Sequence, residues 1–416
     1  MIRTITASWP LFFGLGLIMI GNGLQGTLLG IRASIEGFDT AAIGIIMSLY
    51  YLGFLGGSYY VPKMISKVGH IRVFTALASI ASATVLIHGL YPDPIIWALV
   101  RLFTGFAYAG LYIIVESWLN NTSTNKTRGK IFGVYQLVSY GGMMMGQYML
   151  NIADPAMIDL FVMASILVSI AILPIALSSR PAPEFDEPEH MSMKRLFVIS
   201  PLGMAGAFAN GIGVAAVFGL GAVYANEMGM TIPQISTFIA LYILGGVAFQ
   251  MPISWVSDKY DRRLVINIVS VLAAITAFVC FIVSDSPYVL NAVFFILGGL
   301  SLTIYGLSMS HINDHLTPRQ YVGASSSAIL VNGMGAAAGP LVISTLMSLF
   351  GTKLYFPAIA IIFGGLFVYG LYRTQKRESL PLDEQGDYMQ VPLRATPISM
   401  TITEEGHAIM KEMDDD

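Results

Sequence analysis

The sequence predicts an all-α membrane protein: twelve transmembrane helices in two pseudo-symmetric six-helix bundles. Three observations carry this. Only 11% of the 416 residues are charged and 55% are apolar, whereas a soluble domain carries roughly 25% charged residues. In water such a chain would expose large apolar patches and aggregate. Long apolar runs recur along residues 9–374. A weak self-similarity at a shift of 192 residues divides the chain in two.

A bilayer core needs about 20 apolar residues of helix, and continuous rather than alternating runs point to helices rather than barrel strands. Twelve runs meet this, at 9–31, 40–65, 71–91, 95–119, 128–152, 157–178, 199–226, 232–256, 263–284, 287–312, 321–350 and 354–374. The first is too long for the apolar core of a signal peptide, and no small-residue cleavage pattern closes it before Asn22. It is expected to stay as span one.

Lys and Arg set the orientation. The connections after even-numbered spans hold Lys63, Lys67, Arg72, Lys126, Arg128, Lys130, Arg180, Lys194, Arg195, Lys259, Arg262, Arg263 and Arg319. Those after odd-numbered spans hold Arg32 and Lys353, beside Asp39, Asp93, Asp154, Glu227 and Asp285. Both termini are therefore expected in the cytoplasm. The Pro- and charge-rich SSRPAPEFDEPEHMSMKR, 178–195, reads as a cytoplasmic linker. The expected division is a first bundle at 1–179, a linker at 180–197, a second bundle at 198–375 and an acidic tail at 376–416. The tail ends in Asp414, Asp415 and Asp416 and reads as a solvated segment. Its YMQVPLRATPISMTI stretch alternates weakly and also fits a strand or an extended arm.

Several function classes are excluded. The lone Cys280 permits no disulfide framework and no thiolate metal site. A net charge of −3 without a basic stripe argues against a nucleic-acid partner. There is no Walker A sequence, no His-Glu-x-x-His helix and no Gly-x-Ser-x-Gly elbow. The histidines (70, 88, 190, 311, 315, 407) are scattered; His311 and His315 beside Asp314 could hold a metal but read first as groups at a helix end. No cofactor and no enzymatic activity are expected.

The repeat gives the charged turn SWVSDKYDRR its meaning. At a shift of 192, LYYLG (49–53) falls on LYILG (241–245) and Gly37 on Gly229. SKVGHIR (66–72) then falls on the turn, with Ser66 over Asp258, Lys67 over Lys259 and Gly69 over Asp261. At 193, Gly105 meets Gly298 and Asn120 meets Asn313. Similarity that persists through several helices in order suggests parallel structural repeats.

At this turn the chain resembles the major facilitator superfamily, whose signature loop between helices two and three is Gly-x-x-x-Asp-(Arg/Lys)-x-Gly-(Arg/Lys)-(Arg/Lys). Asp258, Lys259, Arg262 and Arg263 match it, while Ser254 and Asp261 stand where the family usually has Gly. The first-half copy, PKMISKVGHIR, lacks the Asp (Ser66) and has Pro62 at the leading Gly position. The family usually keeps the better copy in the first half, so the inversion is a departure. RLFTGFAYAG, with Arg101 and Gly105, is similar to the family's Arg-x-x-x-Gly element in span four. VESWLN, QMPISWVSDKYDRR and the VPLRATPIS tail resemble the YcaD-like branch of bacterial members. The resemblance covers 9–375 and implies a transporter of the bacterial inner membrane whose spans one, four, seven and ten line a cavity. The Gly-Pro antiporter signature expected in span five is absent.

Ionisable groups inside a membrane are costly and mark functional candidates. In span four, Arg101, Gly105, Tyr108, Tyr112 and Glu116 recur at helical spacing and form a stripe about 80° wide. On the family's fold it faces the cavity, where Arg101 would bind an anionic group and the tyrosines an organic body. Glu116 reads either as a proton-coupling carboxylate or as a structural partner of Lys67, Arg72 or Lys130. Asn22 and Gln25 share a face of span one with Arg32, and Gln136, Tyr140 and Gln147 align on span five. Asn210, Tyr305 and Asn332 complete the candidate binding residues. Each Asn or Gln serves equally well as a bond between helices. The gating candidates are Lys67, Arg72, Asp258, Lys259, Arg262, Arg263 and Asp314, with Asp258 expected to cap a neighbouring helix start and Arg262 or Arg263 to pair with Asp314.

The expected function is secondary active transport of a small organic solute by alternating access, driven by a proton or solute gradient. The transporter is expected to act as a monomer in membrane lipid, with a small-molecule substrate, protons as coupling partner and no nucleic acid. A non-transporting membrane sensor, with the tail as signalling arm, is the alternative.

Overall fold

The computed structural model describes residues 8–122, 128–176, 191–317, 320–376, 380–386, 388–389 and 396. Most of the 178–195 linker, Lys126, Arg180, Arg319, Asp414 to Asp416 and most of YMQVPLRATPISMTI lie outside the described residues, as do the side chains of Asn121 and Arg128.

The protein is all-helical among the described residues, and a helix occupies each predicted span. In chain order these are α1 (Trp9–Ile35), α2 (Thr40–Val68), α3 (His70–Leu90), α4 (Pro94–Thr122), α5 (Arg128–Met149), α6 (Asp159–Ile170), α7 (Pro201–Glu227), α8 (Ile232–Ser257), α9 (Arg262–Ile282), α10 (Pro287–Asn313), α11 (Tyr321–Phe350) and α12 (Tyr355–Lys376). Ten are long and apolar enough to cross a membrane. The helix α5 is diluted by glycine, tyrosine and glutamine. The helix α6 stops early and resumes as Ile172–Ala176, because Pro174 offers no N–H and its ring crowds the Ile170 carbonyl. A short helix, Met193–Ile199, precedes α7 and buries Leu196; the sequence had been read there as linker.

The helix ends follow local chemistry. Asp93 accepts from the N–H groups of Ile95 and Ile96, both at 2.9 Å, at the start of α4. Thr231 and Gln234 form a capping box on α8. The ends of α1 and α7 are the same device 192 residues apart. Gly37 and Gly229 take φ of +72° and +78°, with Phe38 N bonding Ala33 O and Met230 N bonding Ala225 O. This six-to-one bond with a left-handed glycine is a Schellman ending.

Contacts group the chain into two compact units. The first holds Met1–Phe38, Leu49–Glu189 and Pro392–Asp416; the second holds Asp39–Ser48 and His190–Val391. The first turns of α2 join the second unit because Gly44, having no side chain, lies against Ser344 and the Pro340 carbonyl of α11. In the first unit α1 packs on α5 and α6, and α3 packs on α4 and α6; in the second, α7 packs on α11, and α9 on α10 and α12. The crossings repeat in detail. A β-carbon on Gly105 would overlap the Tyr50 carbonyl, and one on Gly298 the Tyr242 carbonyl. Gly53 and Gly245 make the reciprocal approaches, to the Leu102 and Phe295 carbonyls. The residues that carried the sequence repeat are thus those where α2 meets α4 and α8 meets α10.

Candidate functional site

The polar stripe of α4 builds a site inside the first unit. The close approach at Gly105 brings Tyr50 of α2 beneath Arg101, whose guanidinium carbon lies 4.4 Å from the ring centroid. A desolvated cation over an aromatic face is worth about 2 kcal/mol, and Arg101 is only 5% exposed. The Tyr50 hydroxyl accepts from Asn22 Nδ2 at 3.1 Å, which joins α1 to the pair. Aromatic contacts continue down the stripe, from Tyr50 to Tyr108 with centroids 6.4 Å apart and from Tyr108 to Tyr112 at 6.0 Å. At the far end Tyr135 of α5 donates to Glu116 Oε1 at 2.5 Å, and Thr396 donates to Glu116 Oε2.

The stripe's residues are buried, and its upper half faces α2. The Tyr108 hydroxyl and Gln25 Nε2 are buried with no hydrogen-bond partner among the described residues. Buried polar atoms are nearly always satisfied, so these two call for partners beyond the described residues. Gln136 and Tyr140 of α5 are buried too. Gln147 is committed elsewhere: it accepts from Thr27 at 2.6 Å and donates to the Gly23 carbonyl at 2.9 Å, clamping α5 to α1. Arg32 pairs with Glu36 at 2.6 Å. Glu116 is fully buried, whereas Lys67, Arg72 and Lys130 are exposed.

The second unit has its own polar core. Asn210 donates to the Ser301 carbonyl at 2.7 Å. Asn332 donates to the Asn210 side chain at 3.1 Å and to the Ala207 carbonyl at 2.8 Å. Tyr242, the repeat-mate of Tyr50, bonds Ser301 at 2.7 Å. Tyr305 is buried, and its hydroxyl has no partner among the described residues.

The charged turn between α8 and α9 forms a third cluster. Arg262 is 1% exposed. It pairs with Asp314 at 2.5 Å, donates to Ser257 Oγ at 3.1 Å and lies 3.5 Å from Asp258. Burial pushes the Asp314 carboxyl above the usual carboxylate range, and the Arg262 guanidinium opposes that. Arg263 pairs with Asp261 at 3.2 Å, and Asp261 caps the start of α9 through Arg263 N. Asp258 itself accepts from the backbone N–H of Tyr388, a tail residue, at 2.7 Å. Lys259 stacks over Trp255 at 3.9 Å. In the first-half copy the turn is made by Gly69, at φ +85°, with Lys67 and Arg72 exposed on either side.

Sequence reasoning missed Tyr50, Tyr135, Thr396, Tyr242 and Ser301. Tyr50 and Tyr242 stood in the LYYLG and LYILG pair, a signal read only as a repeat.

Long apolar helices crossing around buried polar groups mark a multi-pass membrane protein, and the comparisons with known proteins make it a transporter rather than an enzyme. The sequence pattern of the Major Facilitator Superfamily matches residues 11–231 and 203–403, and the chain belongs to that superfamily. An uncharacterized MFS-type transporter of Yersinia enterocolitica is 26% identical over 84% of this chain and 91% of its own length. The MFS-type transporter YcaD of Escherichia fergusonii is 24% identical over 89% and 97%. Among solved structures, the nucleoside transporter NupG superposes with a TM-score of 0.76 at 14% identity, over 89% of this chain and all of its own. A bacterial homolog of the human lysosomal transporter Spinster, in an inward-facing and unoccupied conformation, gives 0.66 at 14%, over 97% and 98%.

Proposed function

We propose that the protein is a secondary active transporter that carries a small organic solute by alternating access across a bacterial inner membrane, with both termini in the cytoplasm and with proton coupling. The observation that supports this reading best is Arg101, a buried cation held over Tyr50 in the apolar interior of the first unit. A charge in that position is expensive, and attraction for an anionic or zwitterionic solute gives it a use. Tyr108 and Gln25, with unsatisfied polar atoms, would bond the solute's polar groups, and Asn22, Tyr112, Gln136 and Tyr140 would complete its surroundings. In the second unit Tyr305, Asn210 and Asn332 are the corresponding candidates. Glu116, with its Tyr135 and Thr396 partners, is the proposed proton-carrying group.

The test is a thermal-shift screen of purified protein against metabolites, since a bound ligand stabilises by RT ln(1 + [L]/Kd). Hits are then followed by uptake into proteoliposomes with and without a proton gradient. Stabilisation by a carboxylate- or phosphate-bearing solute that vanishes in Arg101→Gln is expected. A screen in which Arg101→Gln responds like the unaltered protein removes Arg101 from the binding site.

A further inference from the structure

Pro381, Leu382, Glu384 and Gly386 of the tail are exposed, but three residues further on are not. Tyr388 is 9% exposed, Met389 4% and Thr396 fully buried. Its backbone is held by side chains of the charged turn and of α10. Arg262 Nη2 donates to the Gly386 carbonyl at 2.6 Å, and Gly386 N donates to Asp314 Oδ1 at 3.1 Å. Tyr388 N donates to Asp258 and Met389 N to Ser310 Oγ, both at 2.7 Å. Gln385 Oε1 accepts from Arg262 N at 3.3 Å. The Tyr388 ring fills the space left by the missing side chain of Gly306, where a β-carbon would lie 2.8 Å from Tyr388 Cζ and clash with the hydroxyl.

A peptide whose backbone groups at Gly386, Tyr388 and Met389 are each matched by a partner, with a side chain in a dedicated notch, has the features of a bound peptide ligand. We propose that Gln385, Gly386, Tyr388 and Met389 act as an intramolecular ligand for a site made by Asp258, Arg262, Asp314, Ser310 and Gly306, and that this strap restrains the transporter until it leaves. The site uses the acid and base of the signature turn, so in this state those groups serve the tail. In the first unit Thr396 of the same tail bonds Glu116, the proposed proton carrier. Each bond is modest and near the end of a helix, so the strap can detach. Conformational cycling, the second half of the proposal, rests on the transport reading above; docking of the strap does not.

The experiment therefore has one readout that needs no solute. In full-length Cys280→Ala protein in nanodiscs, Ser310→Cys places a single thiol under Met389. Its labelling by a water-soluble maleimide is expected to be slow and to rise at least tenfold when Gly306→Ala evicts Tyr388. This substitution suits a helix, so the fold survives it, and Tyr388→Ala should give the same rise. A thiol that labels quickly in the parent, or equal rates in all three proteins, overturns the docked strap. For restraint, Ser310→Cys with Met389→Cys in the same background is oxidised to tie the tail down. Uptake of a solute from the screen is expected to fall at least tenfold and to return on reduction. Equal uptake before and after reduction, with the cross-link verified by mass spectrometry, overturns the restraint. Labelling that responds while the reduced protein carries no solute would fault the transport reading and leave the strap standing.

Discussion

Single side chains in this protein are under different obligations depending on what covers them. Arg101 is held by a ring face, and a planar guanidinium stacks where an ammonium does not. Arg101→Lys is expected to keep the fold and lose at least tenfold in initial uptake rate in proteoliposomes. Arg262 is held by acids and carbonyls in a buried place. Removing one partner of a buried pair leaves the other charge stranded, at a cost of about 3–5 kcal/mol. Arg262→Gln should therefore lower the melting temperature of the solubilised protein far more than Arg262→Gln combined with Asp314→Asn. A double variant as unstable as the single one would mean that a stranded Asp314 is not the source of the loss. Both arginines were legible as candidates from their residue type and position. Asp314 was expected as a partner of the charged turn, and Arg262 pairs with it; Tyr50 and Gly386 were not foreseen, because no local pattern links them to the arginines.

Helices meet here through glycine. Gly105 lies on the Tyr50 carbonyl and Gly298 on the Tyr242 carbonyl, and neither position has room for a larger residue without a shift of backbone. Gly105→Leu and Gly298→Leu are each expected to cut the yield of monodisperse protein in size-exclusion chromatography severalfold, and to similar extents. Gly365, which has open space around it, should tolerate Ala with little loss in the same assay. A large loss at Gly365 alone would contradict this account of the crossings. The ten helices long and apolar enough to cross a membrane were readable because lipid demands about 20 apolar residues from each. The break at Pro174 was missed because hydropathy is indifferent to a lost N–H. Gln147 shares a helix face with Gln136 and Tyr140, and its two readings, binding residue or bond between helices, were even; Thr27 and the Gly23 carbonyl hold it, and periodicity cannot tell a pore face from a packing face.

For the whole molecule, the excess of Lys and Arg on one set of connections predicts topology. Reporter fusions at both ends should report the cytoplasm, and a fusion in the 91–94 connection the opposite side. A reporter at residue 416 that reads as external would reverse the orientation proposed here. Belonging to the Major Facilitator Superfamily was legible from the turn at Asp258 to Arg263. The compact units were legible only in part: the first turns of α2 and the tail group otherwise than the chain halves suggest. Gly44 lies against Ser344, and Thr396 bonds Glu116; no local pattern announces either contact.

By itself the sequence determined that the chain lives in lipid, where its long apolar helices lie, that its halves repeat and which superfamily it belongs to. These follow from composition and spacing, which act locally and can be counted. Only the tertiary structure decided that Tyr50 holds Arg101, that Tyr135 and Thr396 meet Glu116, and that the tail fills the site beside the charged turn. Those pairings join residues tens to hundreds of positions apart, and they depend on which helix faces come within bonding distance once the chain is packed.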